Sequence, residues 1–394
     1  MCGIAGWIDG ERYLPDQQTA LDAMSKTLQR RGPDDHGQYT EDHVCLLHRR
    51  LAVVDPANGH QPMIAQAGGE TYALVYNGEL YNTEELRREL ESLGCEFHTH
   101  SDTEVLLNAY IMWEDACLSK LNGIFAFAVW QKNNRRLFAA RDCMGVKPFY
   151  YYDYPEGLVF GSEIKALLAS PVVEPEIDEN GLNQLFLLGP GAIPGKAIFR
   201  GMKELAPGYS LTYTVEGGVK LHRWWKLTAK EHTEDEKTSI AHVRELLTDS
   251  IRRQLVSDVP LCTLLSGGLD SSIISAVAAE EYRKQGRQLT TYSVDYIDNA
   301  KYFQRNLFQP APDSEYVGEM VDAIGSHHRN IILDNAAQAD ALLDAVRARD
   351  YPGMADIDSS LLLFCRAIKK DFTVGLSGEC ADELEHAWLQ PIQR

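Results

Sequence analysis

Apolar and polar residues follow two different rhythms along the 394-residue chain, and the change falls near residue 240. Before it, short apolar runs are broken by Gly- and Pro-rich turns. Gly3-Ile4-Ala5-Gly6-Trp7-Ile8 reads as a strand whose glycines admit close backbone approach. Residues 17–30 space Leu21, Met24 and Leu28 on one helical face, and Arg30-Arg31-Gly32-Pro33-Asp34 ends that helix in a turn. The two arginines there read as a solvated helix C-terminus. Leu46 to Asp55 is an apolar strand interrupted by His48, Arg49 and Arg50. Val75 to Asn82 predicts a strand ending in an Asn-Gly turn. Ser101-Asp102-Thr103-Glu104 predicts the capped start of a helix running to Met112. Residues 210–239, with two strand-like pieces and a charged run, read as strand exit and linker, and Trp224-Trp225 as packing residues.

After residue 240 the periods lengthen. Ile240, Val243, Leu246, Leu247, Ile251 and Leu255 mark an amphipathic helix. Strands are predicted at 260–265, 289–295, 330–333 and 373–376, and helices at 270–285, 313–325, 335–349 and 358–370. Alternating strand and helix predicts a parallel α/β sheet. Length and pattern together predict domains at 1–209 and 240–394 joined by the linker 210–239.

Composition narrows the function. A net charge of −19 makes nucleic acid and anionic membrane poor partners, so an anionic substrate must be gripped by local donors. The eight cysteines show no Cys-x-x-Cys spacing, which suits a reducing cytoplasm and argues against a structural zinc site. His327-His328 reads as strand entry before it reads as a metal site. No signal peptide and no 18-residue apolar run is present.

Four places carry chemistry. If Met1 is removed, Cys2 holds a thiol and a free α-amine on one residue. The amine titrates near ~8 and the thiol near ~8.5, so the amine can take the thiol proton without a histidine. An arginine beside the buried strand at 49–50 needs an anion, which a substrate carboxylate or a structural aspartate could supply. The Asn77 amide and the Gly78 N–H could face one oxyanion, or merely form a hairpin; Asp102 could cap its helix or hold an ammonium group. Two loops leave strands in the second half: Leu264-Leu265-Ser266-Gly267-Gly268-Leu269-Asp270-Ser271-Ser272, and Leu376-Ser377-Gly378-Glu379-Cys380-Ala381-Asp382-Glu383. The first offers a nest of N–H groups and a helix N-terminus to phosphate, without the Gly-Lys-Ser/Thr ending of a Walker A loop.

The order Cys2-Gly3-Ile4, Arg31-Gly32-Pro33-Asp34, Arg50-Leu51, Gln61-Pro62, Asn77-Gly78-Glu79, Ser101-Asp102, Phe125 to Ala128, Ala140 to Tyr150 and Ser162 to Leu167 resembles class II glutamine amidotransferases. The Ser266–Ser271 loop resembles the pyrophosphate loop of ATP pyrophosphatases. Together the halves resemble the glutamine-hydrolysing asparagine synthetases. The resemblance implies an N-terminal-nucleophile hydrolase domain of αββα layers followed by an α/β parallel-sheet, ATP-pyrophosphatase-like domain. It implies that Cys2 attacks glutamine, that Asn77 and Gly78 stabilise the oxyanion, and that Arg50 takes the α-carboxylate. Asp102 with Glu79 would hold the α-amino end, and the backbone of Val53 and Val54 would line the pocket. Leu264, Val294, Ser377 and Gly378 would contact the nucleotide, and Ser266, Gly267, Gly268, Leu269, Asp270 and Ser271 the pyrophosphate. Asp270 and Asp382 would bind magnesium, and Glu379 would act as base toward ammonia.

The expected reaction is asparagine synthesis from glutamine, aspartate and ATP, in a cytoplasmic enzyme, with a homodimer as a candidate assembly. In this family an aromatic-Gly-Gly-Tyr run and a long helical segment usually follow the second loop. Here Leu384-Glu385-His386-Ala387-Trp388 follows and the chain stops at Arg394, so a truncated chain is expected. The alternatives are a glutaminase-competent but synthetase-defective fragment, and an amidotransferase for a different carboxylate acceptor.

Overall fold

The computed structural model describes residues 1–189, 191–305, 312–379 and 381. They form two compact units, 1–230 with 349–353, and 231–348 with the segment from 354 onward.

The first unit stacks two six-stranded antiparallel sheets. One runs Lys203–Glu204, Tyr150–Tyr154, Gly157–Gly161, Gly3–Asp9, Val44–Arg50, Asp35–Glu41. The other runs Gly218–Arg223, Tyr209–Thr214, Arg136–Arg141, Gly123–Gln131, Glu70–Leu80, Met63–Ala67. Central strands are apolar on both faces because both faces are covered. In Gly3–Asp9, Ile4 and Ile8 join the core between the sheets with Ala126, Ala128 and Phe160. Ala5 and Trp7 point the other way, onto Leu21, Met24 and Leu28 of the helical layer. In Gly123–Gln131, Phe125, Phe127 and Val129 face a second helical layer carrying Leu86, Leu90, Leu106 and Tyr110. Side chains alternate along a strand, so each strand feeds two cores and the layers stack α-β-β-α.

Three readings of the sequence change. Asn77-Gly78 makes no turn: it lies inside the eleven-residue strand Glu70–Leu80, opposite Ala126 and Phe125. Long-range pairing overrides the local turn preference there. A Cβ at Gly78 would lie 2.5 Å from the Ile124 carbonyl oxygen, so the glycine serves close strand approach. The stretch read as strand exit and linker contributes the hairpin Tyr209–Thr214 and Gly218–Arg223 to the second sheet. Trp224 stacks on Phe125 with ring centroids 6.0 Å apart. The predicted helix near 240 is Glu236–Arg253, capped by Asp235, but Ile240, Val243, Leu246 and Leu247 are exposed and Ile251 is buried.

The second unit has a parallel sheet in the order His327–Leu333, Thr290–Tyr296, Leu261–Leu264, Val374–Leu376. Ala278, Ala279, Tyr282 and Ile324 form one core with Leu261, and Phe364 and Ile368 another with Cys262 and Tyr292. Strand order reverses beside Leu261–Leu264, whose neighbours are the second and the last strands. Such a switch point opens a crevice at the strands' carboxyl ends. No helix among the described residues is long and apolar enough to cross a membrane.

Candidate active site

Cys2 immediately precedes a central strand, and the pairing of Gly3 with Arg49 sets its thiol beside the end of the neighbouring strand. The Sγ donates to the Leu51 carbonyl at 3.6 Å. Burial pushes the thiol pKa up, while the Leu51 contact, the N-terminal charge and Arg50 pull it down. Arg31 is no solvated helix end: its Nε donates to the Cys2 carbonyl at 2.9 Å, and a terminal nitrogen pairs with Glu163 at 3.2 Å. Arg30 is exposed, so the solvated reading holds for it alone.

Strand alternation separates the two arginines at 49–50. Arg49 turns to the helical layer and donates to the Ser25 hydroxyl at 2.9 Å. Arg50 points the opposite way, is buried, and donates to the carbonyls of Pro56, Val54 and Asp55 at 2.8, 3.1 and 2.7 Å. Asp55 takes a left-handed backbone (φ 44°) in this loop. Among the described residues no carboxylate lies within ion-pair distance of Arg50. Three neutral carbonyls thus hold a buried cation in place while its charge is left for a ligand. Val53 is half-buried in the same loop.

Asn77 is 1% exposed, and neither its amide nitrogen nor its amide oxygen has a hydrogen-bond partner among the described residues. Buried amides are nearly always satisfied, so this one stands out. The strand around it is pinned on both sides. Gln61 Oε1 accepts the Tyr76 N–H at 2.7 Å, and Asp102 Oδ2 accepts the Tyr76 hydroxyl at 2.9 Å and the Leu80 N–H at 3.1 Å. Asp102 opens the helix Asp102–Trp113 behind the Ser101 cap, as the sequence predicts. Burial raises the Asp102 pKa, and raises that of half-buried Glu79, which also feels the negative charge of Asp102. Cys2 lies within electrostatic reach of Arg50 and Asp102. Of the residues predicted from sequence, Arg50 and Asp102 thus act on the half-buried Cys2 thiol with opposite charge, and Glu79 lies within electrostatic reach of Asp102 and the N-terminus.

In the second unit the loop after Leu261–Leu264 closes on itself. Ser266 Oγ and Ser271 Oγ lie 3.0 Å apart, the Gly268 N–H donates to Ser266 Oγ, and Ser271 Oγ donates to the Gly268 carbonyl. Gly267 has φ +83°, which only glycine adopts easily. Gly268 caps the helix Leu269–Lys284 with no side-chain hydrogen bond to its first N–H groups. The loop after Val374–Leu376 meets it: a Cβ on Gly378 would lie 3.0 Å from Asp270 Cβ and 3.1 Å from Ser271 N. Ser377 Oγ accepts the Glu379 N–H at 3.2 Å, and the Glu379 side chain is exposed. Leu264 is half-buried at its strand end, and Val294 is 39% exposed on the adjacent strand. Asp382 lies outside the described residues. No group of three metal-binding side chains is gathered among the described residues. His327 and His328 lie in a strand, and His328 pairs with the Thr291 and Ser293 hydroxyls.

Sequence reading passed over Arg31, Gln61, Tyr76 and Lys147, all of which support the first site. Arg31 stands next to Gly32, where a Cβ would collide with the Arg49 backbone, and that packing is the signal that the segment is internal.

A glutamine amidotransferase domain model matches residues 1–225, and an asparagine synthase model matches residues 242–387. Asparagine synthetase [glutamine-hydrolyzing] 3 of Bacillus subtilis is 50% identical over 385 residues, covering 98% of this chain and 62% of that protein. Asparagine synthetase [glutamine-hydrolyzing] 1 of the same organism is 34% identical, covering 100% of this chain and 61% of that protein. Asparagine synthetase B of Escherichia coli is 30% identical, covering 99% and 65%. The chain thus spans a little over three-fifths of the length of these relatives. With a thiol-centred site inside an αββα unit and an asparagine synthase segment behind it, the chain belongs to the glutamine-hydrolysing asparagine synthetase family.

Proposed function

We propose that this chain makes asparagine from aspartate, taking nitrogen from glutamine and driving the reaction with ATP. Cys2 attacks the side-chain amide carbon of glutamine as its thiol proton passes to the α-amine. That proton leaves with the departing ammonia, and water then frees glutamate from the thioester. Arg50 grips the α-carboxylate, Asp102 and Glu79 the α-ammonium, and the Asn77 amide with the Gly78 N–H the oxyanion. The pocket wall is the 51–54 backbone, including Val53 and Val54.

In the second unit the aspartate β-carboxylate attacks the α-phosphorus of ATP, releasing pyrophosphate onto the Ser266–Ser271 loop. Ammonia then displaces AMP, with Glu379 accepting its proton. Leu264, Val294, Ser377 and Gly378 border the nucleotide. Asp270 and Asp382 would hold magnesium, which would supply positive charge to offset that of the pyrophosphate; one or two carboxylates are its usual protein share in phosphate sites.

The observation that carries the glutaminase reading is the buried Asn77 amide, whose two polar atoms have no partner among the described residues. A group kept unsatisfied suits a ligand oxygen that is present only during reaction. The synthetase reading rests on two loops meeting at a topological switch point. One assay tests both: glutamate, pyrophosphate and asparagine counted together with glutamine, aspartate and MgATP. All three should rise in step. Glutamate alone would overturn the synthetase reading. Glutamate and pyrophosphate only with another carboxylate would replace aspartate as acceptor.

A further inference from the structure

The run Arg141 to Tyr150 encloses two buried charged groups that fix one backbone loop. Asp142 accepts N–H groups from Phe125, Met144, Val146 and Lys147 at 3.0–3.2 Å. Arg141 donates to the carbonyls of Lys147, Leu205 and Gly145 at 2.6–2.7 Å and pairs with Glu204 at 2.8 Å. Both the N–H and the carbonyl of Lys147 are consumed in this frame. The result is a rigid mount for a lysine that is 5% exposed.

The side chain on that mount reaches the N-terminus. Lys147 Nζ donates to the Met1 sulfur at 3.1 Å, and no carboxylate among the described residues is within ion-pair distance. Its surroundings are the Glu79 carboxylate, the Arg31 guanidinium, the Cys2 thiol and Asp142. Arg50, Asp102 and the N-terminal charge also face Cys2. Burial lowers the Lys147 pKa and Arg31 lowers it further, while Glu79, Cys2 and Asp142 favour the charged form. A buried ammonium aimed at a thioether is a poor use of a cation in the fold. It gains a use once Met1 is gone and the α-amine belongs to Cys2.

Building on the reading of Cys2 as nucleophile, we propose that Lys147 is a positioning residue whose charge holds the α-amine of Cys2 in its free-base form. An ammonium beside an amine disfavours a second positive charge, so the amine pKa falls and more of it can accept the thiol proton. Glu79, which is coupled to the N-terminal charge, acts in the opposite sense, and the titration below reads which of the two prevails at the amine. Arg31 adds to it, but its Nε is already committed to the Cys2 carbonyl.

The test uses the full chain with Met1 removed, confirmed by mass. The α-amine is titrated directly, by the pH dependence of its competitive acetylation read on the N-terminal peptide, in wild type, Lys147→Met, Lys147→Gln and Lys147→Arg. The two neutral variants should raise the amine pKa by about one unit. Lys147→Arg should leave it in place. The acid limb of glutaminase kcat/KM should move by the same amount, with KM for glutamine little changed. Identical amine titrations in wild type and in folded neutral variants would overturn the proposal. A shifted amine in a protein that hydrolyses no glutamine would keep the charge effect and sink the reading of Cys2 instead.

Discussion

Asn77→Ala should separate stability from catalysis. The amide is buried, and neither of its polar atoms has a partner among the described residues. Each such atom costs roughly 1–3 kcal/mol of desolvation, which truncation to alanine relieves. Against that, a void of roughly 30 Å³ costs about 0.7 kcal/mol. The sum predicts a urea midpoint equal to wild type or higher. In the transition state the same amide should meet the oxyanion, and losing such a donor costs about 10²–10³ in kcat, roughly 2.7–4 kcal/mol. KM for glutamine should change little, because Arg50 and the Asp102–Glu79 end hold the substrate away from the reacting carbon. Glutamate release at saturating and at limiting glutamine gives the split, and urea unfolding followed by fluorescence gives the stability. A variant destabilised by 2 kcal/mol or more with kcat nearly intact would refute this, since the amide would then be a structural group.

Three other substitutions probe the remaining parts. Arg50→Lys loses the planar fork and its carbonyl cradle, so KM for glutamine should rise at least about tenfold with a smaller change in kcat, read from initial rates. Gly378→Ala puts a Cβ 3.0 Å from Asp270 Cβ; the two loops must part, and ATP-dependent pyrophosphate release should need at least about tenfold more ATP while glutaminase kinetics stay at wild-type values. His48 is fully buried, its Nε2 lies 3.2 Å from the Tyr76 carbonyl, and burial lowers its pKa from 6.5 to about 3. The unfolded chain takes up this proton below about 6.5 and the folded protein only near 3. Its stability contribution is therefore complete above pH 6.5 and lost by up to ~1.4 kcal/mol per unit as pH falls toward 3. His48→Gln should flatten that loss between pH 6.5 and 4.5 in urea midpoints; an unchanged slope would exclude His48 as its source.

What the sequence reveals divides along the range of the interactions involved. Leu21, Met24 and Leu28 announce their helix because its period is local, and Ser101 announces its cap because the partner is three residues away. The Ser266–Ser271 loop is legible for the same reason: its hydroxyls and N–H groups pair within six residues. Asn77-Gly78 misleads because a local turn signal competes with a pairing partner some fifty residues further along, at 125–126, and the sheet wins. Arg31 is hidden by the same effect, since its partners Cys2 and Glu163 are 29 and 132 residues distant.

The choice between Arg49 and Arg50 shows what turns a pattern into a site. Strand alternation guarantees that the two point to opposite faces, but only the position of Ser25 on the covering helix says which face is which. Once Arg49 is spent on Ser25, Arg50 must enter the space between the sheets, where the neutral Val54–Pro56 carbonyls receive it without cancelling its charge. The same logic links the two halves of the proposed glutamine site. Among the described residues, a buried cation without an anion, a buried amide without a partner, and a buried and a half-buried carboxylate with raised pKa each weaken the fold alone. On the proposed reading they are complementary to the two charged ends and the reacting oxygen of a single amino acid. The cost to the fold is recovered only when a substrate with that charge pattern is bound. This predicts that glutamine should raise the thermal midpoint of the first unit more than glutamate or asparagine at equal concentration.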